Sequence, residues 1–407
     1  MNKTLVKLLS NRLFVVLTIL GIIALLFFLV YFLINHPKDS SSPSEEVPTA
    51  KESELNNSPS PTPSNNNQGQ ITVSPTITPT PNELTPGKIA VLSSREAFDV
   101  WVSKDDKPII KYLFKSEGTV YQIDTKTKKE EIFSSFTPNL IKILWSPNGY
   151  HLINIFKQEE NTLNKYSYNL ITKENVKLDK NLKYIAWSSN GEQIAYHYYN
   201  QETKEGFISS ADPDGKNWKN LTPVLGNDLK IDWPKKDKIS FTNLLPNNTT
   251  LSDISIINPE TGESPKQIIQ KKYGLGILWS PSGTKLLFSG SDNSGENPKL
   301  YILNEALEQK TLNTEGIAEK CVWSKTEKFI YCAIPNNTLE GINMPQDWYS
   351  NKFLSRDIFL QINIETGEKK RISDEENYDA LSLFLSPNED YLYFVNKESG
   401  FLYELKI

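Results

Sequence analysis

Cysteine and histidine are scarce in this chain, two and three in 407 residues. That scarcity excludes a disulfide framework and most zinc sites, which need several such ligands at close spacing. Charge of one sign is missing too: 44 Lys+Arg face 49 Asp+Glu, for a net charge of −5. No basic excess is available for a phosphate backbone, so nucleic acid is not an expected partner. Apolar residues make up 38% and mean hydropathy is −0.44, which excludes a polytopic membrane protein. The motifs G-x-S-x-G, H-E-x-x-H and G-x-x-x-x-G-K-[ST] do not occur, so nucleophile-elbow, zincin and P-loop chemistry have no signature. His151 and His197 fall at non-equivalent strand positions with no activated nucleophile in view, and read as ordinary strand residues. The chain is expected to be no enzyme, with no catalytic residue, no cofactor and no metal.

What is present divides into regions. Residues 1–12 carry Lys3, Lys7 and Arg12 and no acid. From Leu13 to Ile34 run 22 uncharged, mostly apolar residues, long enough at 1.5 Å per residue to cross a hydrocarbon core of about 30 Å. A cleaved signal peptide would have a shorter apolar stretch ending at small residues. Here bulky Tyr31-Phe32-Leu33-Ile34 closes the run, so 13–34 reads as an uncleaved signal anchor. Positive charge before the span keeps the N-terminus cytoplasmic and places the rest outside. The expected location is the cell membrane, single-pass, with an extracytoplasmic C-terminal domain. Residues 35–87 hold ten of the 24 prolines among Ser, Thr and Asn. Such a stretch cannot bury enough apolar surface to offset its ordering entropy. It reads as a disordered stalk reaching about 40 Å as a flexible coil. The stalk carries −4 and the first 35 residues +3, which leaves −4 on residues 88–407.

Residues 88–407 repeat. An apolar strand ends in Trp-Ser, a turn follows, and a second apolar strand begins. The phrase reads Ile143-Leu144-Trp145-Ser146-Pro147-Asn148-Gly149, then Ile185-Ala186-Trp187-Ser188-Ser189-Asn190-Gly191, then Ile231-Asp232-Trp233-Pro234. It returns as Ile277-Leu278-Trp279-Ser280-Pro281-Ser282-Gly283, Cys321-Val322-Trp323-Ser324 and Phe384-Leu385-Ser386-Pro387-Asn388. Trp101 lies one period before Trp145 as a degenerate first copy. Between these phrases sit second turns, such as Asn258-Pro259-Glu260-Thr261-Gly262 and Asn363-Ile364-Glu365-Thr366-Gly367. Each period of about 44 residues therefore holds four short strands, the pattern of a β-propeller blade. The fold class is all-β, with seven four-stranded blades, or six if the Trp101 copy is not a true repeat. The last period offers three strands, and Lys88–Leu92 fits as the fourth, closing the ring and removing exposed edges. The repeated Trp residues read as packing between blades.

The Trp-Ser-Pro-Asn/Ser-Gly hairpin, together with Ala211-Asp212-Pro213-Asp214-Gly215-Lys216-Asn217 leading to Leu221-Thr222, resembles TolB-type WD-like propeller repeats. The resemblance covers residues 88–407 and implies a propeller. It departs from TolB in having an anchor and stalk in place of the TolB N-terminal domain. Similar blades accompany the hydrolase domain of prolyl-oligopeptidase-like enzymes, but a propeller running to Ile407 leaves no such domain within these residues.

Few residues stand out as functional. Cys321 and Cys332 flank one hairpin, and with Thr326 and Glu327 central they face each other at disulfide distance. A one-residue register shift would leave two free buried thiols instead. Asp212-Pro213-Asp214-Gly215 has the look of a calcium loop but lacks the rest of that pattern, and reads as a tight turn. The interval after Trp323 is longer than its neighbours, 62 residues to Leu385. Its excess, Ile334 to Asp357, carries Met344, Trp348, Tyr349 and Phe353, with Pro345 placed to start a short helix ending near Leu354. Aromatic loops on a rigid scaffold are where binding commonly resides. These four residues are the candidate binding surface; the other reading is a plug over the central channel. The expected function is a non-catalytic binding or scaffold module for a protein, peptide or cell-envelope glycan. The alternative is a propeller hydrolase or lyase with carboxylates or a metal at the channel, for which Asp232 is the lone acid on a mostly apolar set of inner strands.

Overall fold

The computed structural model describes residues 84–105, 109–158, 162–225, 229–243 and 247–407. The expected anchor at 13–34 and nearly all of the expected stalk lie outside the described residues. Among the described residues no helix is long and apolar enough to cross a membrane.

The repeating phrases fold as antiparallel meanders. After β1 (Ile89–Glu96), the first unit is β2 (Phe98–Val102), β3 (Ile109–Phe114), β4 (Thr119–Asp124) and β5 (Glu130–Ser135). The second is β6 (Leu140–Trp145), β7 (His151–Lys157), β8 (Leu163–Asn169) and β9 (Asn175–Lys177). The third is β10 (Leu182–Trp187), β11 (Ile194–Tyr199), β12 (Gly206–Ala211) and β13 (Lys219–Pro223). A seven-stranded sheet follows: β14 (Leu229–Lys235), β15 (Lys238–Asn243), β16 (Ser252–Ile257), β17 (Lys266–Trp279), β18 (Leu286–Ser291), β19 (Lys299–Leu303) and β20 (Gln309–Glu315). Its long strand β17 pairs with β16 up to Lys272 and with β18 from Tyr273 onward. It therefore ends one meander and begins the next. A sheet of β21 (Cys321–Trp323), β22 (Phe329–Pro335), β23 (Asp357–Asn363) and β24 (Lys369–Arg371) comes next. The last sheet joins β25 (Ala380–Leu385), β26 (Tyr391–Asn396) and β27 (Phe401–Lys406) to β1, with Ile89 opposite Leu405 and Val91 opposite Tyr403. The architecture is that of a β-propeller.

The repeated residues have repeated jobs. In five copies the serine hydroxyl that follows the Trp, or Leu385 in the last, accepts the N–H five residues on, at Ser146/His151, Ser188/Gln193, Ser280/Lys285, Ser324/Phe329 and Ser386/Tyr391. Gly149, Gly191 and Gly283 close these turns at φ of +73°, +76° and +68°. Only a residue without Cβ takes that conformation at no steric cost, and a Cβ on Gly149 would meet the Trp101 ring at 2.7 Å. Four of the indoles stitch units together. Trp145 Nε1 donates to the Asp99 carbonyl, Trp187 to the Leu144 carbonyl, Trp279 to Ser240 Oγ and Trp323 to the Leu278 carbonyl, at 2.7 to 3.2 Å. Each reaches the preceding unit. Between units lie apolar layers, such as Ile153, Leu178, Leu182, Trp187 and Ile194 between the second and third. Each such aliphatic side chain contributes about 1.5–3 kcal/mol when fully buried.

Cys321 and Cys332 stand directly opposite on β21 and β22 and are joined in a disulfide. The helix of the long insertion is shorter than expected: α1 spans Gln346–Tyr349 only. Asn351 takes φ +59° and its N–H bonds the Trp348 carbonyl, while Lys352 N–H bonds the Asp347 carbonyl. That pair of bonds is the left-handed stop that ends a helix within one turn.

Candidate functional site

The four insertion residues do not form the exposed aromatic surface expected of them. Met344 is 3% exposed, Trp348 5% and Phe353 8%, packed with Ile317 and backed by Leu381 of β25. Trp348 Nε1 donates to Asp379 Oδ1 at 2.8 Å, and the Lys320 and Lys397 ammoniums lie 4.8 and 4.5 Å from the ring centre. An insertion this short buries its large apolar groups against the scaffold because that removes the most apolar area from water. Tyr349 is the exception, 40% exposed. Its hydroxyl bonds Glu319, and burial of that end, followed by the Glu319 charge, pushes the phenol well up.

Beneath the insertion is an ion network that sequence reasoning missed. Lys320 Nζ lies 2.8 Å from Asp357 Oδ2, 2.7 Å from Asp379 Oδ1 and 2.7 Å from Ser355 Oγ, and all three charged groups are buried. The Ala380 N–H donates to Asp357, and Ser355 donates to Asp379 through both N–H and hydroxyl. Burial pushes the Asp357 carboxyl up despite Lys320. Burial also works to raise Asp379, but Lys320 and the Trp348 and Ser355 donors outweigh it and hold that carboxyl below its ordinary value. The network ties the link before β21, the end of the insertion and the start of β25 together.

A cavity of about 1200 Å³ opens between the second and third units. Six lysines line it: Lys142 on β6, Lys165 on β8, Lys177 on β9, Lys180, Lys183 on β10 and Lys230 on β14. Glu202 is the one acidic residue of the lining; Leu144, Ile155, Ile185, Ile231 and Tyr184 supply apolar wall. Among the described residues no carboxylate comes within ion-pair distance of Lys142, Lys165, Lys177, Lys180 or Lys183. Lys165 is only 9% exposed. Burial and then the neighbouring Lys183 charge depress its pKa, with Asp179 opposing.

The inner strands aim these groups by breaking their own register. Between Lys183 and Ala186 β10 spends one residue more than β11, and Tyr184 sits there at φ +46°. β6 has a similar slip between Leu140 and Lys142. Such bulges re-aim side chains at the rim of a sheet. A non-glycine residue held at positive φ costs of order 1–3 kcal/mol, and such strain clusters at functional sites.

Lys230 ends one side of the cavity, 3.6 Å from Glu319. Burial works against its ammonium, but Asp232 and Glu319 outweigh it and raise its pKa. Burial pushes the Asp232 carboxyl up, against Lys230 and with the help of Glu319. Asp232 Oδ2 and Glu319 Oε2 are buried without a hydrogen-bond partner. Among the described residues no three His, Cys, Asp or Glu side chains come together as a metal site. Asp212–Gly215 is a turn, its Lys216 N–H donating to Asp214 Oδ1 at 3.0 Å. His151 Nε2 lies 3.1 Å from the Asn169 amide, and His197 packs between Tyr184 and Tyr199.

No protein-family model matches the chain, and no curated protein matches it in sequence. Solved structures match in fold. An oligogalacturonate lyase in complex with manganese aligns with a TM-score of 0.59 at 12% identity, over 78% of this chain and 93% of that one. The oligogalacturonate lyase of Vibrio parahaemolyticus aligns at 0.57 and 11%, over the same shares. The Swd1 β-propeller domain of Myceliophteria thermophila aligns at 0.51 and 11%, over 79% of this chain and 100% of that one. TolB from Acinetobacter baumannii reaches 0.44 at 15%, over 68% and 65%, too weak to carry an argument about repeat type. At these identities the likeness is one of fold alone, and the set contains lyases as well as other propellers.

Proposed function

We propose that this chain is a membrane-anchored, extracytoplasmic β-propeller of TolB-like repeats. We count seven blades, with the seven-stranded sheet taken as two that share β17. It acts as a non-catalytic binding module, seating its partner over the cavity between the second and third units. The observation that carries this reading is a large concave space lined by six lysines, five of which have no carboxylate at ion-pair distance among the described residues. Pockets of this kind, with convergent polar groups in an apolar wall, are the default binding sites of a scaffold. The test uses the full chain in a nonionic detergent, with thermal shift against glycan fragments and peptides. Asn164→Trp and Lys180→Trp narrow the mouth of the cavity. A stabilising ligand whose effect both variants remove supports the reading; a ligand whose affinity neither alters sinks it. Protease shaving of intact cells tests the topology, since an external propeller on a stalk is released by cleavage within 35–87.

A second reading is enzymatic, and one observation favours it: the Asp232 carboxyl, raised by burial, stands beside Lys230 and Glu319. A carboxyl whose pKa is raised by burial holds its proton more firmly, the direction that general acid work needs. Asp232→Asn would then abolish turnover of a bound glycan without changing its affinity. Absence of any turnover by the unaltered chain on ligands it binds would remove this reading.

A further inference from the structure

We infer that the cavity takes an acidic oligosaccharide, its carboxylates seated against Lys142, Lys165, Lys177 and Lys183 and its hydroxyls against the amides of Asn164 and Asn181. This rests on the reading of that cavity as the ligand site and names its ligand class. Lysines crowded together repel one another, and burying one costs free energy unless an anion compensates. Lys165 meets both conditions: it is nine-tenths buried, lines the cavity, and has Lys183 beside it with no carboxylate at ion-pair distance among the described residues. The missing negative charge is then supplied by what binds.

Shape and chemistry narrow the class. A drug-sized ligand needs a pocket of about 300–1,000 Å³, so 1200 Å³ suits several linked rings. The amides of Asn164, Asn181 and Gln201 on the lining offer both donors and acceptors, which hydroxyl groups need and bare anions do not. Tyr184 and the aliphatic wall offer an apolar face to a sugar ring. A nucleic acid is disfavoured, because the lysines converge in a concavity on a domain of net negative charge and do not run as a stripe.

The experiment is titration calorimetry on the full chain in nonionic detergent. The probes are alginate and hyaluronan hexasaccharides, a phosphodiester-linked glycerol teichoic acid, cellohexaose, poly-glutamate and inorganic polyphosphate. Binding of a carboxylated hexasaccharide that weakens with added salt is expected. Tighter binding of the teichoic acid, a polyol phosphate with neither sugar ring nor carboxylate, would overturn the inference. The triple variant Lys142→Gln, Lys177→Gln, Lys183→Gln should weaken it on the order of thirty-fold, a few-fold for each lysine. Its unliganded melting temperature should fall little, because among the described residues these lysines have no carboxylate at ion-pair distance and Lys183 has only the Tyr199 ring, 4.8 Å away, to lose. Equal affinity for cellohexaose overturns the inference, since charge would then play no part. Equal affinity for poly-glutamate or polyphosphate overturns it as well, since sugar would then play none. If only a peptide binds and the mouth variants block it, the glycan class fails while the binding site stands. If no probe responds to either set of variants, both readings fall together.

Discussion

Two places on this propeller handle buried lysine in opposite ways. At the junction of β21 and β25, Lys320 is enclosed and holds two aspartates and a serine at 2.7 to 2.8 Å. Between the second and third units, Lys165 is nearly as buried and has no such partner among the described residues. The first site is covered by an insertion whose Trp348 and Ser355 complete the network; the second is open and lined by further cations. Charges that serve stability are neutralised from within, whereas charges left bare in a concave space point to something from outside.

The comparison breaks most sharply by mutation of each lysine in turn. Lys320→Met strands two carboxylates in an apolar interior and should cost about 3–5 kcal/mol by denaturant unfolding. Lys165→Met removes a cation that has no carboxylate at ion-pair distance among the described residues and should be neutral or slightly stabilising; a loss comparable to that of Lys320→Met would show a hidden internal role. Next in size is the disulfide. Cys321→Ser with Cys332→Ser should cost about 3 kcal/mol in the chain-entropy model, while leaving ligand affinity at the cavity unchanged. Loss of that affinity would show that the two regions are coupled.

The smallest effect is a dependence on pH. Because the folded pKa of Lys165 lies below 10.5, the native chain releases that proton before the unfolded chain does. The unfolded state then binds more protons, so stability rises with pH through the interval from the depressed value up to 10.5. Below that interval the charged lysine is a steady cost. The difference in unfolding free energy between Lys165→Met and the unaltered chain should therefore shrink as pH climbs toward 10.5. A difference that is flat or widens with pH would place the charge in a compensated environment.

Much of the fold was legible in the sequence, because a propeller writes the same sentence several times. The Trp-Ser phrase marks the end of the inner strand in most copies, and in the second, third and fifth its serine and glycine are held by the same local hydrogen bonds. Lys88–Leu92 could be assigned as an outer strand because the last period lacked one, and β1 does pair with β27. The cavity was not legible. Its lysines come from different units, and the bulges at Lys142 and Tyr184 shift the alternation by one, so counting every second residue gives the wrong face. Lys320, Asp357 and Asp379 are single charges far apart in the chain, with nothing local to announce that they meet. Trp348 and Phe353 had the composition of a binding loop, but whether an aromatic faces water is decided by the surface offered beneath it. Here Ile317 and Leu381 offered one.

The pairing of Ile89 with Leu405 has a consequence in time. A ribosome delivers β1 long before β27, so the strand that completes the last sheet is made early and must wait. Until β27 emerges, β1 carries an open row of donors and acceptors, and the sheets between stand as an unclosed arc. A chain in that state is vulnerable to pairing with its neighbours. Crossing a membrane while unclosed would lengthen the wait. Whatever escorts this chain should hold on longest near residue 89, and let go once residue 405 arrives.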